Sequence, residues 1–265
     1  MFLFLKAIIL AIVEGVTEFL PISSTGHLII VNRWVSFGEN LTKVFDIVIQ
    51  LGAILAVVVF FWPRLWPFSN NKESNLAVWN LWKKTLLGVI PAIILGALLG
   101  QVIEEKLFNP TIVALALMIG GLLLIWAEKR NKPPSILTVD NISYKVAFYI
   151  GLIQCLAMIP GTSRSAATII GAMLLGASRL AAAEFSFFLA IPTMVAASGY
   201  SLLKHRALLS FSDWAILLVG FVAAFLVAYL VVRVFFKYIQ KNNFIPFGYY
   251  RIALGVLVLF YFLFK

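Results

Sequence analysis

Hydrophobic runs fill most of the chain, and polar residues gather between them. Charge-free stretches near the length of a spanning helix occur at 47–63, 85–103, 107–127, 185–203 and 214–232. A shorter one, 252–264, ends in Phe260, Tyr261, Phe262 and Phe264. At 1.5 Å of rise per residue, about 20 apolar residues cross roughly 30 Å of hydrocarbon. Six spans are predicted, at about 43–62, 83–104, 110–129, 181–203, 213–236 and 247–264. Pro63, Pro67, Pro110, Pro133, Pro134 and Pro246 stand near their ends, where helix breakers belong.

Two further apolar regions do not fit a simple span. Residues 6–33 are interrupted by Pro21-Ile22-Ser23-Ser24-Thr25-Gly26, and residues 145–178 by Pro160-Gly161-Thr162-Ser163-Arg164-Ser165. Each arm is too short to cross the hydrocarbon. Non-helical backbone at membrane depth survives only where protein buries it or a wet cavity borders it. Both regions are therefore predicted to be re-entrant hairpins of two half-helices. The fold expected is an all-α polytopic membrane protein with about six transmembrane helices plus two re-entrant helical hairpins. Residues 1–265 would form a single integral membrane domain.

The two interrupted regions resemble each other. Ile12-Val13-Glu14-Gly15-Val16 aligns with Leu152-Ile153-Gln154-Cys155-Leu156, and with one gap Pro21 aligns with Pro160. Further on, Asp46 falls near Glu184. The offset of about 140 residues is close to half the chain, so repeat one would cover about 1–130 and repeat two about 140–265. Each copy would hold one hairpin and three spans. An odd number of spans makes the second copy enter from the opposite side, an inverted-topology repeat.

Composition agrees with a bilayer setting. Hydrophobic residues make up 62% of the 265 positions and charged residues 12%, with a mean hydropathy of +1.01. A soluble domain carries about 25% charged residues. A water-soluble globular fold and disorder are excluded. The net charge of +10 does not indicate nucleic acid in so apolar a chain; it marks loops that face anionic lipid. Seven basic residues fall on the N-terminal side of the spans and twelve on the other, the twelve including Arg64, Lys129, Arg130 and Arg251. That asymmetry places the second side in the cytoplasm and both termini outside. Lys6 is the only basic residue before the first apolar run and no cleavage pattern follows, so this segment is expected to be retained rather than removed as a signal peptide. The single Cys155 permits no internal disulfide.

Charged groups inside a membrane cost at least about 2.5–3.5 kcal/mol at a helix centre, so those present are candidates for chemistry. Glu14 and Glu18, at i and i+4, share one helix face. Two carboxylates so placed need a proton or a cation between them, and oxygen-only ligation suits Mg²⁺ or Ca²⁺. Ser23, Ser24 and Thr25 supply hydroxyls, and His27 an imidazole that titrates near neutrality. Ser23 or Ser24 alone is also what a helix N-cap looks like. His205, the other histidine, lies among basic loop residues and reads as solvated.

The second interruption reads as a phosphate cradle. Arg164 offers a bidentate guanidinium at the start of a half-helix, whose free N–H groups attract anions. Gly161 allows backbone to approach a ligand, Thr162 lies in the same turn, and Ser163, Ser165 and Thr168 add hydroxyl donors. Asp46 and Gln50 share a helix face near the start of a span; a role in the site and an interfacial placement both fit them, and Glu184 is in the same position.

The segments Glu14-Gly-Val-Thr-Glu18-Phe-Leu-Pro-Ile-Ser-Ser-Thr-Gly-His27 and Pro160-Gly-Thr-Ser-Arg-Ser-Ala-Ala-Thr168, with Phe45-Asp46-Ile-Val-Ile-Gln50-Leu-Gly, resemble the signature motifs of the bacitracin-resistance (BacA/UppP) family of bacterial undecaprenyl-diphosphate phosphatases. The resemblance covers nearly the whole chain. It implies removal of the terminal phosphate from undecaprenyl (C55 isoprenyl) diphosphate, which returns the carrier lipid to cell-wall polymer synthesis, and dependence on Mg²⁺ or Ca²⁺. It implies the bacterial plasma membrane as location, the lipid diphosphate and membrane lipids as partners, and no nucleic acid; a homo-oligomer stays open. Carried over by motif, the acidic pair is Glu14 and Glu18, the Ser/His segment Ser23, Ser24 and His27, and the phosphate segment Ser163, Arg164 and Ser165.

These readings set expectations for catalysis by Ser24, His27, Glu18 and Arg164. Substrate would be bound by Ser23, Thr25, Gly161, Thr162, Ser163, Ser165, Thr168 and Gln50, and metal by Glu14 and Glu18. Ser24 would be the nucleophile and His27 its base. The rival scheme uses His27 or a metal-bound water as nucleophile. A lipid-phosphate flippase is the alternative class, since inverted repeats with broken helices are common in transporters.

Overall fold

A computed structural model describes residues 2–69, 72–130, 132–204 and 211–264. Among these residues the regular structure is helical, with one lone bridge between Ile136 and Ala177. His205 lies outside the described residues.

The first interrupted region forms α1 (Phe2–Thr17) and α2 (Ser24–Val31), separated by the turn 18–23. The chain continues through α3 (Glu39–Phe60), the single turn α4 (Trp62–Leu65), α5 (Lys72–Leu107) and α6 (Pro110–Lys129). The second interrupted region gives α7 (Tyr144–Gln154), a 3₁₀ turn at Cys155–Met158 and α8 (Arg164–Leu174). Then come α9 (Arg179–Lys204), α10 (Phe211–Ile239) and α11 (Ile245–Leu263). Six helices are long and apolar enough to cross a bilayer: α3, α5, α6, α9, α10 and α11. The protein is an all-α, multi-pass membrane protein.

Five of the six spans lie within three residues of their expected bounds. The exception is α5, which begins at Lys72 rather than near 83. Its first turns carry Glu73, Lys83 and Lys84, which a search for uncharged stretches passes over. Hydropathy locates the hydrocarbon, whereas a helix continues as long as its backbone bonds are satisfied. Helix ends with local chemical signals lie where the sequence puts them. Asn109 caps α6 by accepting from Ile112 N at 3.0 Å, with Pro110 in the first turn, where its missing N–H leaves no bond unmade.

The packing partners exchange between the halves. α1 lies against α10, and α7 against α5. α3 lies against α10, and α9 against α5. α6 packs on α11, and α3 on α9. Close approach rests on glycine in several of these contacts; a Cβ on Gly151 of α7 would strike the backbone of Gly88 in α5, and one on Gly52 of α3 would strike the carbonyl of Phe221 in α10. The largest core cluster is rich in aromatic rings, among them Phe61, Phe187, Phe188, Phe235 and Phe244.

One end of the bundle is tied by ions. Arg64 donates to Glu184 at 2.9 Å and to Asp140 at 3.1 Å, and Lys84 donates to the Asp140 carbonyl at 2.8 Å. Arg179 pairs with Glu128, whose other oxygen accepts from Phe244 N at 3.1 Å. Glu184 therefore belongs to this girdle and not to the candidate site.

Candidate functional site

Each half-helix pair turns over a serine in a left-handed conformation. Ser23 has φ 74° and Ser163 φ 69°, the only positive-φ residues other than glycine among the described residues. Such backbone costs on the order of 1–3 kcal/mol and persists where its surroundings demand it. Both serines are N-caps: Ser23 Oγ accepts from Gly26 N at 3.3 Å, and Ser163 Oγ from Ala166 N at 3.2 Å. The two residues are 140 apart, as are Glu14 and Gln154. The matched turns therefore align without the gap expected from Pro21 and Pro160. At the same offset the counterpart of Asp46 is Ser186, not Glu184.

The two turns meet. Arg164 Nη2 donates to Glu18 Oε1 at 3.2 Å, with both side chains nearly buried. Ser24 Oγ donates to the other oxygen, Glu18 Oε2, at 2.6 Å. Ser165 Oγ donates to the Leu20 carbonyl at 2.9 Å, closing a second link. Arg164 is further held by the Ser186 carbonyl at 3.1 Å, by Met194 Sδ at 3.4 Å and by the Phe19 ring, 5.6 Å away. A guanidinium, a carboxylate and a serine hydroxyl thus form one line across the junction, between the N-termini of α2 and α8, where unpaired N–H groups favour anions.

His27 is oriented differently from expectation. Its Nδ1 lies 2.7 Å from the Ser23 carbonyl, and its Nε2 lies 2.7 Å from the Tyr250 hydroxyl. The hydroxyl of Ser24 points to Glu18 rather than to the imidazole. The proton acceptor placed against Ser24 is the carboxylate, which corrects the expected Ser24–His27 pair.

Several residues expected to bind substrate have other partners. Thr168 is buried, and its hydroxyl bonds Ser186 Oγ at 2.6 Å and lies 2.9 Å from the Arg164 carbonyl. It braces α8 instead of facing a ligand. Ser165 is fully buried and spends its proton on Leu20, although its Oγ also lies 3.0 Å from Ser163 Oγ. Gly161 has φ 91°, and a Cβ there would come within 2.5 Å of the Val113 carbonyl in α6. Its smallness serves the packing of the turn on α6, not a ligand's approach. Thr162 and Gly161 offer their carbonyls to Arg251. Thr25 is half-buried in the first turn of α2. Gln50 is half-buried on α3, and the hydrogen bonds of the cluster do not reach it. Asp46, one turn earlier, accepts from Asn32 Nδ2 at 3.1 Å.

Arg251 was not singled out by sequence reasoning, which counted it with the charges flanking a span. It is fully buried. Its guanidinium donates to the carbonyls of Pro21 at 3.3 Å, Thr162 at 2.9 Å, Gly161 at 3.2 Å and Ala116 at 3.2 Å. One side chain from α11 therefore stitches both turns to α6. The available signal was a lone arginine between Gly248 and Gly255, two small residues at which α11 approaches α6 closely.

Glu14 is fully buried, and neither carboxylate oxygen has a hydrogen-bond partner among the described residues. Glu18, Asp46 and Arg164 are the charges that bear on it. A buried carboxylate beside a second one calls for a proton or a cation. Among the described residues no three Asp, Glu, His or Cys side chains form a ready metal cage. The donors present, two carboxylates and a hydroxyl, suit the ligation habit of Mg²⁺, which takes one or two carboxylates and completes its shell with water and substrate phosphate. The residues therefore fit a hard divalent cation that arrives with a phosphorylated ligand.

Comparison with known proteins identifies the family. Undecaprenyl-diphosphatase 1 of Clostridioides difficile (strain 630) is 50% identical over 262 residues, covering 97% of this chain and 95% of that one. The undecaprenyl-diphosphatase of Variovorax paradoxus (strain S110) is 50% identical over 260 residues, covering 97% and 94%. That of Lachnoclostridium phytofermentans is 49% identical over 265 residues, covering 98% and 97%. The model of the family described as "Bacitracin resistance protein BacA" matches residues 7–257, which include both turns, Arg251 and every residue of the cluster, and the chain belongs to that family.

Proposed function

We propose that the protein is an undecaprenyl-diphosphate phosphatase that converts the lipid diphosphate to the monophosphate and inorganic phosphate. The observation that carries this reading is the line Ser24–Glu18–Arg164 across the junction of the two turns. It combines a hydroxyl nucleophile, a proton acceptor and a phosphate-binding cation in a site bounded by apolar helices. The shared name of the relatives supports the substrate; no observation favours the flippase.

In this mechanism the polyprenyl tail stays among lipid chains while the diphosphate enters between the turns. Arg164 and the N–H groups of α2 and α8 hold the phosphates, with Ser163 and Thr25 at the mouths of those helices. Ser24 Oγ attacks the terminal phosphorus, its proton passes to Glu18, and the bridging P–O bond breaks to release the lipid monophosphate. Water then attacks the phosphoserine. His27 removes the water's proton, which departs with the phosphate, and Glu18 returns its proton to the serine oxygen. Glu14 and Glu18 would hold Mg²⁺ or Ca²⁺. The cation, when bound, offsets negative charge growing on the transferred group.

The test is phosphate release in detergent combined with rapid quenching and mapping of any phosphorylated residue. Phosphate on Ser24, lost in Ser24→Ala, is the expected result. Phosphate on His27 would overturn the serine scheme, and turnover with no adduct would favour direct attack by water.

We also read the chain as one integral domain of two inverted copies, about 1–130 and 140–265, supported by the exchange of packing partners and by the matched serine turns. The loop charges favour both termini outside a bacterial plasma membrane. Removing the buried Arg251 from the count leaves eleven basic residues against seven, the same direction as before.

A further inference from the structure

We infer that Tyr250 is a positioning residue for His27, fixing the plane of an imidazole whose tautomer, with Nε2 as the proton acceptor, is set by the Ser23 carbonyl. The Ser23 carbonyl can only accept, so the 2.7 Å contact requires a proton on Nδ1. In the neutral ring Nε2 then carries the lone pair, and the Tyr250 hydroxyl, 2.7 Å away, donates to it. The two rings are stacked, 5.6 Å between centroids and 11° between planes, so contact and hydrogen bond restrain the same ring from two directions. The partners come from opposite ends of the chain, 223 residues apart. Tyr250 adjoins Arg251, the side chain that ties both turns together. One turn of α11 thus ties the junction together and orients its histidine.

A phenol in this place has a chemical consequence as well. A water entering beside it donates to the phenol oxygen while the phenol proton moves to Nε2. Every proton is accounted for, and the imidazole ends as the cation, held by the Ser23 carbonyl. The inference rests on the reading of His27 as the group that takes the water's proton, and the experiment separates the two.

The experiment compares wild type, Tyr250→Phe and His27→Gln as full-length protein in detergent. It measures kcat and KM for phosphate release from an isoprenyl diphosphate, the thermal midpoint, and ¹⁵N imidazole chemical shifts. Tyr250→Phe keeps the stacked ring and loses only the hydroxyl. Its kcat is expected to fall about tenfold, the worth of one ordinary hydrogen bond in the barrier, with KM and the thermal midpoint little changed. The His27 Nε2 resonance, identified by its loss in His27→Gln, is expected to shift as the phenol donor is lost, while Nδ1 keeps its proton. A phenylalanine variant with wild-type kcat beside an inactive His27→Gln would overturn the positioning role and leave the reading of His27 standing. A fully active His27→Gln would remove the reading of His27, and the inference with it. An unmoved Nε2 resonance in Tyr250→Phe would show that the hydroxyl does not hold the imidazole and would overturn the inference directly.

Discussion

Arg251 shows how a single residue can be legible in type and illegible in role. Its guanidinium is fully buried, faces no carboxylate among its hydrogen-bond partners and serves four carbonyls, three of them in the two turns. A buried acceptor left without its donor costs about 1–3 kcal/mol. Arg251→Leu is therefore expected to destabilise the protein by at least about 3 kcal/mol and to abolish turnover, because the turns lose their common anchor. Thermal unfolding in detergent checks the first and phosphate release the second; an unchanged midpoint would contradict the anchoring role. In sequence this arginine looked like a flanking charge, since its depth depends on how far α11 has entered the bilayer. Glu18, Ser24 and Arg164 stood out because charges and clustered hydroxyls are costly in apolar surroundings unless a site uses them. Their mutual pairing did not, because Glu18 and Arg164 are 146 residues apart. His27 was paired with its neighbour Ser24 for the same reason: nearness along the chain was the only distance available.

At the level of elements, glycines decide which helices can touch. Gly151 and Gly88 let α7 reach α5 at backbone distance, whereas Gly100 has open space around it. Gly151→Val is expected to cost at least about 1–3 kcal/mol through overpacking, and Gly100→Ala to be neutral or stabilising by up to about 1 kcal/mol through helix propensity. Thermal midpoints of the two variants distinguish them; equal effects would mean that α7 and α5 are not locked by this contact. Helix existence was readable almost everywhere, from the length of apolar runs and from caps such as Asn109 before Pro110. The internal prolines of α5 and α9, Pro91 and Pro192, do not end their helices. Neighbouring helices and local adjustment re-satisfy the freed backbone group in a bilayer, which a rule drawn from soluble proteins misses.

For the whole molecule, the exchange of partners between the halves of the chain accompanies the meeting of the two turns. α1 packs against α10 and α7 against α5, and the turns to which α1 and α7 lead meet where Arg164 pairs with Glu18. Orientation is testable by labelling. With Cys155 replaced by Ser, a cysteine at Trp34, 70% exposed in the loop after α2, is expected to react with an impermeant maleimide on intact cells. One at Lys132 is expected to react only after permeabilisation. The opposite pattern would reverse the assigned topology. The two broken helices were legible because helix breakers in apolar sequence are rare. The girdle of Arg64, Glu184 and Asp140 was not, since surface-like charges carry no sign of their partners.

The grip of Arg164 on Glu18 means that the protein carries its own counterfeit of the substrate. On the proposed mechanism a carboxylate oxygen holds the guanidinium that a phosphate oxygen would engage, so an arriving headgroup must evict it, while the other oxygen keeps its bond to Ser24. Rivalry of this kind has a measurable sign. Glu18→Gln, with a weaker claim on the guanidinium, is expected to bind inorganic phosphate more tightly than wild type while turning over far less. Looser phosphate binding in that variant would show that the two anions do not compete for one berth.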